Sequence, residues 1–294
     1  MPIKDILIAL AVVIIWATHN TVIRMGALEI PPLLFLSLRL FLTGLIFLPW
    51  IKKIKKEQIK PLILYAGLVI FGHFATLFVA LSLIEASLSV IIAQTATAFS
   101  VVLGVVFFKE KDGFRTIIGL IVAYAGLLFI FISPIEGFHL WGSLLMLFSV
   151  FLFSLGWAAA SRMGDVPFAS MISYSFMGAF PFALIASFVL ETNHIEYLLR
   201  ADQWKLTWIL AFQVFIVSLS HYFWKEILNR NPTGIVSSFL LSIPFFGVIS
   251  AYLLLGETLS NAEIIGGMIT FIGVGIITIR RNKKNVNQEQ DVKV

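Results

Sequence analysis

Long apolar stretches alternate with short polar links along this chain, and ten such stretches follow one another between residues 6 and 279. A helix needs about 20 apolar residues to cross the hydrocarbon layer of a bilayer. The pattern therefore predicts membrane-spanning helices near 6–26, 32–51, 61–84, 87–108, 115–133, 140–161, 167–190, 206–228, 233–255 and 262–279. Arg39 is the one charge this reading places in a helix interior, away from the span ends. Pro31-Pro32, Pro61 and Asn231-Pro232 mark the starts of the second, third and ninth helices, and Asp112-Gly113 separates the fourth from the fifth. Pro181 and Pro244 lie deeper. Each removes a backbone hydrogen bond and frees a carbonyl one turn earlier, so both are candidate hinges, with packing kinks as the plainer alternative.

The second half of the chain repeats the first. Setting 107–128 against 254–275, an offset of 147, brings Glu110 onto Glu257, Ile117-Ile118 onto Ile264-Ile265, Gly119 onto Gly266 and Gly126 onto Gly273. Trp16-Ala17 recurs as Trp157-Ala158. Five helices per half is an odd number, so the second half must enter the membrane upside down, an arrangement that encloses a site open alternately to either side. The expected units are 1–133 and 134–281, each a five-helix repeat, and a hydrophilic cytoplasmic tail, 282–294, without structure. Small residues at helix-packing spacing, Gly119/Ala123 and the set Gly266, Gly267, Gly273 and Gly275, are expected to let helices approach closely.

Composition agrees with lipid as the solvent. Of 294 residues, 59% are hydrophobic and 13% charged, and the mean hydropathy is +0.97, too apolar for a soluble core. Sorting the 21 Lys and Arg residues by alternate links puts only Arg24, Arg200 and Lys205 on one side, and all the rest except Arg39 on the other. The positive-inside rule then places both termini in the cytoplasm. The net charge of +5 follows from this topology, and the lysine-rich run 52–60 is expected to sit near anionic lipid rather than nucleic acid. With no cysteine, thiol catalysis and Cys-based metal sites are excluded. The first apolar stretch lacks a basic leader and a small-residue cleavage site, so it is expected to remain as the first helix.

From Ile6 to about Ile279 the chain resembles the EamA-type transporters of the drug/metabolite transporter superfamily. The resemblance rests on Lys4-Asp5 with the run to Trp16, Ile30-Pro31-Pro32 followed by Leu38-Arg39, and His73-Phe74-Ala75 with Leu77-Phe78. Gln94, the ending Phe107-Phe108-Lys109-Glu110, and its later counterpart Leu255-Gly256-Glu257-Thr258-Leu259 extend it. Those in the first half look like the family's exporters of O-acetylserine and cysteine. The resemblance implies an all-α integral membrane protein of ten helices in two inverted five-helix repeats, with a central cavity and outward movement of small metabolites.

Polar groups are costly in lipid, so those within the spans are the candidate substrate-binding residues: His19, Asn20, Arg39, His73, Thr76, Gln94, Thr97, Trp157, Tyr174, His221 and Trp224. Arg39 has the fork geometry to hold a carboxylate, or it fills a structural role by capping helix carbonyls or pairing with Glu85. Trp16 and Trp157, at related places in the halves, are candidate walls of the path. Gln213 could line the same cavity, while Thr95 and Ser218 are weaker candidates, because serine and threonine commonly bond their own helix.

The expected function is a secondary transporter of the cell inner membrane exporting a small polar metabolite, an amino acid or amino-acid derivative, by alternating access. The alternative is uptake or exchange of a nucleotide precursor or organic anion. No Asp or Glu lies in a helix interior, which argues against a cationic-drug pump. A coupled proton carried by His19, His73 or His221 stays open, as does facilitation driven by the substrate gradient. No phosphate-binding Gly-rich loop is present, and no cofactor, metal, nucleic-acid partner or catalytic residue is expected. An intramembrane enzyme is disfavoured by the absence of Gly-x-Ser-x-Gly and His-Glu-x-x-His.

Overall fold

A computed structural model describes residues 1–108, 114–134, 138–161 and 163–291. The chain is an all-α membrane protein. Its ten apolar segments are α1 (Ile3–Glu29), α2 (Pro32–Trp50), α3 (Lys56–Leu83), α4 (Ala86–Phe107), α5 (Phe114–Ile132), α6 (Leu140–Ala158), α7 (Phe168–Leu190), α8 (Gln203–Arg230), α9 (Phe239–Leu255) and α10 (Asn261–Ile277). The first eight are long and apolar enough to cross a bilayer, and the last two are shorter. In lipid no water is present to satisfy a backbone N–H or C=O, so each segment closes its hydrogen bonds within itself.

Helix ends follow local chemistry. Ile30 leaves the helix in an extended conformation and Pro31-Pro32 starts α2, proline at a first turn costing no backbone bond. Glu191 then accepts hydrogen bonds from the orphan N–H groups of Leu33 and Leu34 at 2.7 and 3.0 Å. Gly256 ends α9 with φ +69°, a left-handed cap that glycine adopts without strain. Two sequence expectations need correction. Pro61 does not open α3, because the helix begins at Lys56, where the Lys55 N–H is tied to Gln58 Oε1 at 2.9 Å. Pro244 does not lie deep in a helix: a 3-10 turn, Phe239–Ser242, precedes it, and it occupies the first turn of Ile243–Leu255. The last helix continues beyond its apolar part, Asn261–Ile277. Asp112-Gly113 and the pair Lys109-Glu110 lie outside the described residues.

Packing obeys an exchange rule. Replacing each helix by the one five places away maps the main pairings onto one another. The α5–α10, α2–α7 and α4–α9 contacts map onto themselves, α1–α9 maps onto α4–α6, α3–α6 onto α1–α8, and α3–α7 onto α2–α8. The tightest contact, α5 against α10, explains the glycine stripe. A Cβ on Gly273 would strike the backbone of Ala123 and come within 2.7 Å of the Gly119 carbonyl oxygen, and one on Gly126 would meet the Gly266 oxygen at 2.6 Å. Gly119 thus faces Gly273 and Gly126 faces Gly266, so α5 and α10 run antiparallel. Gly275 takes no part, since nothing lies within 4 Å of its Cβ position.

The exchange rule breaks in several places, among them α4–α10, whose counterpart α9–α5 makes at most marginal contact. In the first half α1 packs on α3 and α4, and α2 on α3; the corresponding pairs α6–α8, α6–α9 and α7–α8 make at most marginal contact. Helices α1–α4 are accordingly packed on one another more closely than α6–α9 are.

Because helix backbones touch at Gly273, a Gly273→Leu substitution must push α5 and α10 apart, an overpacking cost of roughly 1–3 kcal/mol or more. It is expected to lower the melting temperature of the detergent-solubilised protein, whereas Gly275→Leu leaves it near the parent value. Equal melting shifts for the two would show that the glycine contact does not set the packing.

Candidate functional site

The helices depart from regular α geometry at corresponding places in the two halves. α3 contains a π-helical segment, Ala66–His73, and α8 another, Phe212–Ile216. α4 breaks in a turn at Gln94 and α9 in its 3-10 turn. Non-α backbone at membrane depth is tolerated where it lines a cavity or is buried in protein, and paired interruptions in related halves point to the binding site.

A cavity of about 730 Å³ lies beside these segments. Trp16, His19 and Asn20 of α1, His73 and Phe74 of α3, Phe153 and Trp157 of α6, and His221 and Trp224 of α8 furnish its polar and aromatic wall. Val90, Ala93 and Ala96 of α4 and Met146 and Val150 of α6 complete an apolar lining. Its mouth is formed by Met163, Gly164, Asp165 and Val166, before α7, together with Lys225 and Leu228 of α8. Lys225 Nζ and Asp165 Oδ1 stand 3.8 Å apart across that mouth, both well exposed. Trp16 Nε1 donates to Ser220 Oγ at 2.8 Å and its ring lies 4.9 Å from His221 and 5.1 Å from Trp224, which fixes one wall. Asn20 Nδ2 donates to Ser89 Oγ at 3.1 Å.

Of the sequence-derived candidates, His19, Asn20, His73, Trp157, His221 and Trp224 line the cavity, and Trp16 joins them. Five do not. Thr76 spends its hydroxyl on the Gly72 and His73 carbonyls, 2.8 and 3.0 Å away, in the π segment. Gln94 reaches only the Val90 carbonyl, at 3.5 Å, and forms the turn in α4, with Thr97 one turn beyond it. Tyr174 is 39% exposed on the outer face of α7. Pro181 is accommodated in an uninterrupted α7, so only Pro244 adjoins a break. Thr95 bonds the Ile92 carbonyl, and Gln213 is buried with Nε2 3.5 Å from the His19 carbonyl oxygen.

Arg39, the fifth, lies behind the wall. Its side chain is buried, its guanidinium carbon sits 4.3 Å above the cavity-lining ring of Phe74 and 5.6 Å from Phe78, and Nε and Nη1 have no hydrogen-bond partner. It does not pair with Glu85. A desolvated cation–π contact is worth about 2 kcal/mol, while each buried unpaired donor costs about 1–3 kcal/mol. The cation is thus held against two aromatic rings with two of its donors unpaired among the described residues.

The charged cluster that seals the opposite end escaped the sequence reading. Arg24 Nε lies 2.7 Å from Glu257 Oε1, an ionic contact outside hydrogen-bond angles, while its Nη1 donates to the Leu81 and Ile84 carbonyls. Glu257 Oε2 accepts from Ser87 N and Oγ at 3.0 and 3.1 Å. α1, the α3–α4 link and the end of α9 are thereby joined. Asp5, near the start of α1, bonds Asn231 at 2.8 Å; 19 residues separate it from Arg24, about 28 Å of helix, so seal and mouth occupy opposite ends. Burial, then the Glu257 and Glu263 carboxylates, push the neighbouring Glu85 carboxyl above its usual range.

Apolar helices gathered round a cavity sealed at one end and open at the other define a multi-pass membrane transporter. The chain belongs to the EamA-like transporter family, whose model matches residues 3–132 and again 140–279; this is a family of transporters, not of enzymes. It is 29% identical, over 93% of its length and 94% of the relative's, to a "Probable amino-acid metabolite efflux pump" of Salmonella typhimurium. An Escherichia coli protein of the same description is 27% identical over the same shares. The "Uncharacterized transporter YoaV" of Bacillus subtilis is 24% identical over 97% of this chain and all of its own. A solved structure superposes with TM-score 0.63 over 94% of this chain and 96% of its own at 15% identity, a likeness of fold.

In a chain without cysteine, single cysteines report access cleanly. Ile84→Cys, buried beneath the Arg24 cluster, is expected to react slowly with a thiol reagent, and at least tenfold faster once Glu257→Gln removes a pairing worth roughly 3 kcal/mol. Unchanged labelling would show that the cluster does not seal that end.

Proposed function

We propose that the chain is a secondary transporter of the cell inner membrane, exporting an amino acid or amino-acid derivative by alternating access, with both termini in the cytoplasm. The observation that carries this reading is the break in the exchange rule. Two halves whose main pairings map onto one another differ in that α1–α4 pack on one another more closely than α6–α9 do, so exchanging their roles would convert the state described into one open at the other end. α5 and α10, equivalent helices that run antiparallel, support inverted halves. Most Lys and Arg residues fall on the side of the mouth, which makes that side cytoplasmic and the described state ready to load from within.

Arg39 is the group for the substrate's carboxylate. The ring of Phe74 would yield to let the anion reach Nε and Nη1, and the pairing would satisfy both orphan donors. His19, Asn20, His73, His221 and the tryptophans would orient the remainder. The names of the Salmonella and Escherichia coli relatives favour amino-acid metabolites. Pro244, beside the 3-10 turn of α9, is the favoured hinge.

The test is efflux of a preloaded, radiolabelled amino-acid panel, including cysteine and O-acetylserine, from liposomes holding the purified protein. At least one compound is expected to leave, and Arg39→Gln to slow it roughly 10- to 100-fold, the effect of losing charge-assisted hydrogen bonds of about 1.5–3 kcal/mol. If no member moves, with or without a pH gradient, the amino-acid reading falls and nucleotides and organic anions become the substrates to try.

A further inference from the structure

The two ring nitrogens of a neutral histidine have opposite hydrogen-bonding roles, and a carbonyl oxygen can only accept. His221 Nδ1 lies 2.7 Å from the Val217 carbonyl oxygen, so Nδ1 carries the proton. His73 Nδ1 lies 3.0 Å from the Ser149 carbonyl oxygen and 2.7 Å from Ser149 Oγ, whose own proton goes to the His73 carbonyl oxygen at 3.0 Å. Nδ1 is again the donor. In both neutral rings Nε2 is left as a bare acceptor, and among the described residues no protein group hydrogen-bonds either one. Both rings face the cavity.

The two histidines also stand in related places. His73 closes the π segment of α3, and His221 follows that of α8. Their separation, 221 − 73 = 148, is one residue from the 147 register of the repeat. Each half therefore presents one imidazole acceptor to the same space, with the unpaired Arg39 cation behind Phe74.

We propose that His73 and His221 are the acceptors that select an N–H-bearing substrate, one receiving the ammonium group from each half while Arg39 holds the carboxylate. The inference rests on the amino-acid export reading and deepens it, because the cavity then discriminates a primary ammonium from a quaternary one of equal charge. Whichever half moves, an acceptor stays with the substrate. Ser149, fully buried on α6, is the positioning residue that fixes the His73 ring.

Liposome export is compared for labelled serine and leucine and for the N,N,N-trimethyl form of each, which keeps both charges and has no N–H donor. The parent amino acids are expected to move roughly tenfold faster or more. His73→Gln, which sets a carbonyl oxygen near the Nε2 position, is expected to retain that preference, and His73→Phe to bring it towards one. Ring nitrogen-15 shifts of the intact, labelled protein give a reading independent of transport, with Nδ1–H tautomers expected at His73 and His221. Equal export of the trimethyl forms, or Nε2–H tautomers, overturns the acceptor role and leaves amino-acid export standing; no movement of any form removes the export reading as well.

Discussion

Everything in this molecule depends on one constraint: in hydrocarbon a polar group that finds no partner within the protein stays unpartnered. The constraint makes the apolar segments helical, and it gives meaning to each place where regular hydrogen bonding lapses. The π segments of α3 and α8 and the breaks in α4 and α9 are such lapses, and His73, Ala93, His221 and Ile243, within or near them, line the cavity. Thr76 shows the local remedy, its hydroxyl occupying two carbonyls of the π segment. Arg39 shows the opposite case, a cation whose Nε and Nη1 find no hydrogen-bond partner among the described residues.

The fold was legible because its determinants are local. Apolar length gives the helices, and Pro31-Pro32 and Gly256 mark boundaries that backbone geometry requires. The glycine register was legible too, since Gly119, Gly126, Gly266 and Gly273 are spaced for a helix contact. The cavity was legible only in part. His19, His73 and His221 stand out as polar letters in apolar text, and they do line it. Which face of a helix a polar residue occupies is decided by neighbours far along the chain, so Tyr174 and Thr97 look equally eligible and lie elsewhere. Ser149, Ser89 and Ser220 pass for packing residues in the sequence, and only tertiary contact reveals that they orient His73, Asn20 and Trp16. Arg24 and Glu257 are 233 positions apart, and nothing local announces their meeting.

Symmetry supplies the link from packing to mechanism. Helix pairs that map onto one another under exchange mean that the two halves solve one packing problem twice, and on the proposed alternating-access cycle the unequal pairs would distinguish its two states. The α5–α10 contact, backbone against backbone, maps onto itself under the exchange, which suits it to remain in place while the surrounding helices change partners.

The Arg24–Glu257–Ser87 cluster carries a further consequence for how such a protein tolerates change. An ion pair that holds one end shut stabilises a single member of a cycle, so strengthening it deepens one well and raises the climb out of it. If the protein cycles as proposed, thermal resistance and turnover are set against each other at these residues: variants selected for hardness in detergent would accumulate at the seal and cycle slowly, and the fastest transporters would carry a weaker one.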